Sequence, residues 1–248
     1  MSEPVLGAVL ILLLFVCFAA GLEVALSLGL VGLLGLLWLK GWTIGLGVIG
    51  SIAWSNATNF SFIAVPLFVF MSAVLLHSGI GRSLYTAVAR WVAVLPGGLA
   101  IASVIACAIF AAVSGSSVAT AATIGMIAIP EMERRGYARP LVVGSLAAGG
   151  TLGILIPPSI PMIIFGVMTE TSVGKLYLAG VVPGALLVLA FAGYIIAYAL
   201  LWPGAAPHAA EDRVALREKL RSLRDVGPVV LLILVVLGSM YFGVVTPT

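Results

Sequence analysis

Charged residues are scarce in this chain. Asp, Glu, Lys and Arg make up 8% of its 248 residues, against 62% hydrophobic. Soluble domains carry about 25% charged and roughly 45–50% apolar residues. A folded soluble protein must show much of its surface to water, and a mean hydropathy of +1.25 excludes that class here. Histidine and cysteine number two each. Cys17 and Cys107 lie inside apolar runs and neither belongs to a CxxC pair, so both read as buried membrane cysteines. No H-E-x-x-H motif occurs, and no transition-metal site is expected. No G-x-x-x-x-G-K-[ST] loop occurs either; the only Gly-Lys pair, Gly174-Lys175, precedes Leu176, which excludes ATP hydrolysis of the Walker type by this chain. A serine enzyme needs a base near Ser116 or Ser117, and the only histidines are His77, at the end of an apolar run, and His208, in a polar segment. No enzyme is expected. The chain opens Met-Ser-Glu-Pro without a basic n-region or an A-x-A-like cleavage site, so its first apolar run is expected to remain as a membrane helix.

What is present is a succession of apolar runs near the length of about 20 residues that crosses a bilayer. Residues 4–21 form the first and 24–39 the second, with Glu23 at the junction and Lys40 at the close. Residues 41–59, rich in Gly, Ser, Asn and Trp, read as a loop or a partly interfacial segment. Residues 60–77 form a third run. In residues 79–98, Arg82 and Arg90 mix with Tyr85 and Trp91 before Pro96-Gly97-Gly98, a pattern that predicts a helix lying along the membrane surface. Residues 181–202 and 227–241 are further spans. The polar segment between them carries Arg213, Arg217, Lys219, Arg221 and Arg224, with Leu216, Leu220 and Leu223 at helical spacing, and suits a surface helix against anionic lipid. The class is therefore an all-α polytopic membrane protein.

Two interruptions stand out. The apolar run 99–113 meets Ser114-Gly115-Ser116-Ser117, after which 118–129 leads to the polar patch 130–137. Two short arms around a small polar centre suit a re-entrant hairpin, whose non-helical tip survives at membrane depth only when buried in protein or lining a wet cavity. The helix predicted over 141–154 is then broken by Ile156-Pro157-Pro158-Ser159-Ile160-Pro161, because proline lacks an N–H and clashes with the preceding turn. Half-helices ending inside a membrane expose unpaired carbonyls at one end and N–H groups at the other, with matching partial charges. Carbonyls and hydroxyls suit sodium, and free N–H groups suit a carboxylate; secondary transporters place their sites at such discontinuities. The candidate residues are Ser114, Gly115, Ser116, Ser117 and Thr120 at the tip, and Gly149, Gly150, Thr151, Pro157, Pro158 and Ser159 near the break. The competing reading is that small residues merely let helices pack closely. The pairs Gly41/Gly45, Gly149/Gly153 and Gly180/Gly184 read as packing motifs.

Ten of the twelve basic residues fall in three segments: Arg82 and Arg90; Arg134, Arg135 and Arg139; and Arg213 to Arg224. The hairpin reading puts all three on one side, assigned to the cytoplasm, with the N-terminus outside.

At these residues a family resemblance emerges. Ser114-Gly115-Ser116-Ser117-Val118-Ala119-Thr120, Ile129-Pro130-Glu131-Met132 and Arg135-Gly136-Tyr137 resemble the large permease subunit of TRAP (tripartite ATP-independent periplasmic) transporters. So do Gly153-Ile154-Leu155-Ile156-Pro157-Pro158-Ser159-Ile160, Ala64-Val65-Pro66-Leu67-Phe68, Leu95-Pro96-Gly97-Gly98-Leu99 and Ala179-Gly180-Val181-Val182-Pro183-Gly184. The resemblance implies inward, sodium-driven transport of carboxylate-bearing solutes (C4-dicarboxylates, sialic acids and other sugar acids) across an inner membrane. It implies a small permease subunit and a periplasmic substrate-binding protein as partners, and sodium as coupling ion without further cofactors. It also implies an elevator-type fold of two inverted repeats, of which this chain holds the first. On that pattern residues 1–78 are scaffold helices and 79–98 an arm helix. Residues 99–180 are a transport repeat with hairpin 99–130 and broken helix 139–169, and 181–248 are further helices with a basic cytoplasmic segment 203–226. A second hairpin and a second Pro-Pro break belong to the pattern; the chain closes at Thr246-Pro247-Thr248, where that half is expected to begin, so a fragment or a half that must associate is expected. Two other readings fit the residues: a non-transporting membrane scaffold or assembly partner, and a permease subunit of an ATP-driven system.

Overall fold

The computed structural model describes residues 3–207 and 216–246; His208, Arg213, Pro247 and Thr248 lie outside the described residues. Helices alone make up the regular structure among the described residues, as expected of an all-α membrane protein. The chain divides into two units between Asn59 and Phe60.

The first unit is a pair of helices, α1 (Glu3–Ala19) and α2 (Val24–Ala57). They pack closely at Gly35, where an added Cβ would stand 2.8 Å from Leu10. Residues 41–57 are helical rather than a loop. Only Gly41 leaves helical geometry (φ 79°, ψ 170°), and the helix resumes beyond it. The glycines of this stretch suggested a loop, yet apolar residues such as Ile44, Leu46 and Ile52 lie among them, exposed on the helix surface. In hydrocarbon a backbone pairs its own polar groups or is not tolerated.

In the second unit a 3-10 turn (Phe60–Ile63) feeds α3 (Ala64–His77), together an 18-residue apolar span. His77 turns its ring onto its own helix, Nδ1 lying 2.9 Å from the Ala73 carbonyl. The surface helix α4 (Ile80–Val92) is amphipathic: Leu84, Tyr85 and Ala87 face inward, while Arg82 and Trp91 are exposed. Then follow α5 (Gly98–Ser114), α6 (Ser117–Arg134), α7 (Arg139–Leu155), α8 (Ile160–Met168), α9 (Val173–Leu201) and α10 (Leu216–Tyr241).

Helix α5 is the axis of the core, with nearly every residue from Gly98 to Ser114 buried. Its partner α6 runs antiparallel to it. At their shared base Ser103 Oγ lies 3.6 Å from Met132 Sδ, and the Leu99 N–H donates to Tyr137 Oη at 3.4 Å. The two arms thus start and finish at one end, as a re-entrant hairpin requires. Helix α7 lies against both arms through small residues: added Cβ atoms at Gly149 and Gly150 would stand 3.0 Å from Cys107 Cβ and 2.9 Å from Ala121 Cβ. Helix α9 begins at Val173, earlier than the expected 181, because the Ser172 hydroxyl caps it, accepting from the Lys175 N–H at 3.5 Å. It returns antiparallel to α7: Gly180 backs onto the Leu155 carbonyl, while Ile195 and Ala199 meet Gly97. The Ala138 N–H then donates to the Ala205 carbonyl at 2.9 Å, pinning the base.

The basic segment is helical from Leu216. It bends by 50° into the last apolar run, and Lys219 Nζ sits 6.0 Å from the centre of the Trp91 ring. The arginines of α4, those flanking the α6–α7 turn and the basic start of α10 therefore share one end of the unit. Among the described residues four helices are long and apolar enough to cross a membrane, Val24–Ala57, Phe60–His77, Arg139–Met168 and Val173–Leu201, and the bent α10 makes a fifth if it is taken as one span.

Candidate functional site

At the end away from the arginines, the hairpin tip and the proline break meet. Helix α5 stops at Ser114 because Gly115 turns left-handed (φ 62°), its N–H still reaching the Ala111 carbonyl at 3.0 Å. Ser116 is extended and caps α6, its Oγ accepting from the Ala119 N–H at 3.4 Å. Across this turn Ser114 Oγ and Thr120 Oγ1 are hydrogen-bonded at 2.8 Å, both fully buried. From α3, the Ser72 hydroxyl reaches the Ser114 carbonyl, with the Phe68 carbonyl as its alternative acceptor at 2.9 Å.

The break is built in the same manner. Helix α7 ends at Leu155, and Ile156 and Ser159 are extended. A cis peptide joins Pro157 to Pro158. The Ser159 hydroxyl donates back to the Ile154 carbonyl at 2.6 Å, closing the turn on itself. Pro157, Pro158 and Ser159 are buried.

The two turns are bonded directly. The Ile160 N–H, first in α8, donates to the Gly115 carbonyl at 3.2 Å. A Cβ on Gly115 would stand 2.8 Å from the Pro158 carbonyl oxygen, and one on Gly153 would stand 2.7 Å from Ser117 N and 2.8 Å from Ser117 Cα. Helix C-termini (α5, α7) and N-termini (α6, α8) therefore converge within one joint. Each terminus carries roughly half an elementary charge, negative at C-ends and positive at N-ends. None of the joint's residues is ionisable, so both signs of partial charge come from the backbone. Two buried hydroxyls beside the joint have no hydrogen-bond partner: Ser117 Oγ, at the start of α6, and Tyr177 Oη, in α9.

Residues 11–248 match the family model described as Tripartite ATP-independent periplasmic transporter, DctM component. The chain belongs to the DctM family. It is 45% identical over 195 residues to the C4-dicarboxylate TRAP transporter large permease protein DctM of Pseudomonas aeruginosa, covering 78% of this chain and 44% of the relative. It is 37% identical over 243 residues to the protein of the same name from Vibrio cholerae, covering 97% of this chain and 52% of the relative. It is 33% identical over 230 residues to the isethionate TRAP transporter permease protein DctMQ of Oleidesulfovibrio alaskensis, covering 92% of this chain and 35% of that one. The chain spans about half the length, or less, of the curated relatives it matches. These relatives are permeases, not enzymes, and family and apolar helices together make this DctM chain a multi-pass inner-membrane protein.

The structure sorts the sequence candidates into groups. Ser114, Gly115, Ser116, Ser117, Thr120, Pro157, Pro158 and Ser159 all stand at the joint. Gly149 and Gly150 are packing positions for α7 against α5 and α6. Thr151 is exposed and donates to the Ala148 carbonyl of its own helix at 2.6 Å, so it is not brought to the joint. Sequence reasoning missed Ser72, Gly153 as a close-approach point and Tyr177. Ser72 had a readable signal, a lone hydroxyl inside an apolar span. Tyr177 had none, since one aromatic among apolar residues is ordinary core material.

Proposed function

We propose that this chain is the first half of the large permease of a sodium-coupled secondary transporter for small organic acids, with C4-dicarboxylates the leading class and sialic or other sugar acids the alternatives. The observation that carries the reading is the Gly115–Ile160 hydrogen bond, which joins a hairpin tip to a broken helix and so gathers helix termini of both polarities at one uncharged, buried point.

The roles follow from the chemistry of each group. Sodium is a hard cation that takes oxygen ligands, and the carbonyl ends of α5 and α7 with the hydroxyls of Ser114, Ser117 and Thr120 supply them. Ser117 Oγ is the strongest single candidate, a buried oxygen left without a protein donor. A substrate carboxylate is met by the N-termini of α6 and α8, where backbone N–H groups and the helix dipole favour an anion. The names of the C4-dicarboxylate and isethionate relatives support an organic-acid substrate. The family description, a tripartite ATP-independent periplasmic transporter, supports an ATP-independent mechanism with two partner components, which we read as a small permease and a periplasmic binding protein.

The test reconstitutes the complete transporter, including the length beyond this chain, with small permease and a binding protein carrying a labelled C4-dicarboxylate. Accumulation inside the vesicles is expected under an inward sodium gradient and is expected to stop when potassium replaces sodium. Uptake that ignores sodium would overturn the coupling; uptake that requires ATP and is blocked by vanadate would return the chain to the ATP-driven class.

A further inference from the structure

At the basic end of the second unit, α4 and the base of the hairpin enclose a cleft of about 500 Å³. Four arginines line it: Arg82 and Arg90 from α4, Arg134 and Arg135 from the end of α6. Arg82, Thr86, Ala89 and Arg90 recur at helical spacing, so α4 turns one face into it. The single lining carboxylate, Glu131, holds Arg135 at 2.8 Å and Arg134 at 3.8 Å. Arg82 and Arg90 have no carboxylate partner among the described residues. Positive charge is thus left over in a concave site beside the apolar spans, where it attracts anions most strongly.

Two further features point to an anion with oxygen acceptors. The N-terminus of α5 borders the cleft at Gly97 and Gly98, and its partial positive charge favours an anion there. Tyr85 also lines the cleft; it is 3% exposed, and its hydroxyl has no hydrogen-bond partner. Ser103, beside it, donates instead to the Leu99 carbonyl at 2.9 Å. Burial pushes the Tyr85 phenol well above its usual range, which keeps it a neutral O–H donor. Buried donors ordinarily have acceptors; here no protein acceptor meets the phenol in hydrogen-bond geometry, although the Ser103 hydroxyl interacts with it. The remaining wall is apolar, with Leu95, Met126 and Ile127, and the exposed Trp91 on α4 suits the membrane–water interface.

We propose that this cleft binds a phosphate group, supplied in the membrane by the headgroup of an anionic phospholipid such as phosphatidylglycerol. Arg82 and Arg90 clamp the phosphate oxygens, Tyr85 donates to one of them, and the apolar wall receives the start of the acyl chains. Arginine suits this task because its planar fork pairs two oxygens at once. The cleft lies at the opposite end of the helices from the sodium and substrate joint, so it serves anchoring of α4 rather than the transported solute.

The experiment measures lipid binding to the purified chain in detergent by native mass spectrometry and thermal unfolding. Short-chain phosphatidylglycerol, phosphatidylcholine and inorganic phosphate are titrated separately. Phosphatidylglycerol is expected to bind more tightly than phosphatidylcholine. The double substitution R82Q/R90Q is expected to weaken it about 30-fold, as two surface charges at the membrane suggest. Y85F is expected to weaken it about tenfold, and K175Q, at the other end of α9, not at all. Competition by millimolar inorganic phosphate would keep the site and name free phosphate as a source; no competition would keep it as a lipid site. Equal binding of the two lipids, or R82Q/R90Q behaving like K175Q while both remain helical and monodisperse, would overturn the proposal.

Discussion

The N–H of Ile160 donates to the carbonyl of Gly115 at 3.2 Å, and through that one bond the hairpin tip and the proline break act as a single joint. Proline at positions 157 and 158 frees the chain from helical pairing, Gly115 turns it with φ 62°, and the freed groups find each other.

Gly153 has no room for a side chain, because a Cβ would stand within 3 Å of the backbone of Ser116 and Ser117. G153A is expected to lower stability by about 1–3 kcal/mol, since a backbone clash cannot relax by a rotamer change. Gly144, in the same helix, has nothing within 4 Å of the same position. G144A is therefore expected to be neutral or to stabilise by about 0.5–1 kcal/mol through helix propensity. Thermal unfolding of both variants in detergent checks the pair; a G153A that unfolds no earlier than G144A refutes the close approach.

Ser114 and Thr120 close the tip with a buried bond of 2.8 Å. S114A is expected to destabilise by about 1–3 kcal/mol, because it leaves the buried Thr120 hydroxyl alone, and T120A by less, because Ser114 Oγ keeps its 3.4 Å contacts with the Ser116 backbone. The double variant is expected to lose less than the sum of the two. A double-mutant cycle measures this, and strict additivity would show that the two hydroxyls do not interact.

Ser117 Oγ is buried and without a partner. If sodium takes that oxygen, S117A in the complete transporter raises the sodium concentration for half-maximal uptake by about tenfold, near the worth of one charge-assisted contact. Uptake is assayed against sodium concentration at saturating substrate. An unchanged sodium curve removes Ser117 from the ligand set and leaves the carbonyl ends to hold the ion.

Tyr177 is fully buried, and its hydroxyl has no hydrogen-bond partner. Removing an unsatisfied buried hydroxyl is nearly neutral or favourable, so Y177F is expected to change stability by less than about 1 kcal/mol or to raise it. A drop of more than about 1 kcal/mol in unfolding free energy would mean that the phenol does bond, with the neighbouring Ser159 backbone as the first place to look.

The Glu131–Arg135 pair stands one helical turn apart at the polar end of α6, with both side chains about one-third exposed. Exposed pairs of this kind contribute about 0.2–1 kcal/mol. E131Q is expected to shift stability by no more than that, and less at high salt. A larger loss, insensitive to salt, would show that Glu131 is held by more than its two arginines.

The solvent, the order of spans, the two interruptions and the residues at them are legible in the residues alone. Each is a local property: apolar composition excludes water as the main solvent, proline excludes helix pairing, and a Ser-Gly-Ser-Ser stretch cannot extend an apolar helix. Locality also explains where that reading stopped. Residues 41–59 contain enough glycine to look like a loop, yet as far as Ala57 they form a helix, because an apolar surround leaves the backbone no other partner. Thr151 sits near the break in sequence but faces outward, since a helix turns each successive residue by about a quarter of the circle.

That the interruptions meet is a property of the packed helices. The Gly115–Ile160 bond, the approach of Gly153 to Ser117 and the reach of Ser72 to the Ser114 carbonyl join residues from separate helices. The same packing decided that arginines from α4 and α6 share one cleft with Tyr85. Such contacts depend on how antiparallel helices pack side by side, and packing depends on the shapes of both surfaces at once. No stretch of sequence read alone carries that information, whereas composition and proline positions act within a single turn and can be read directly.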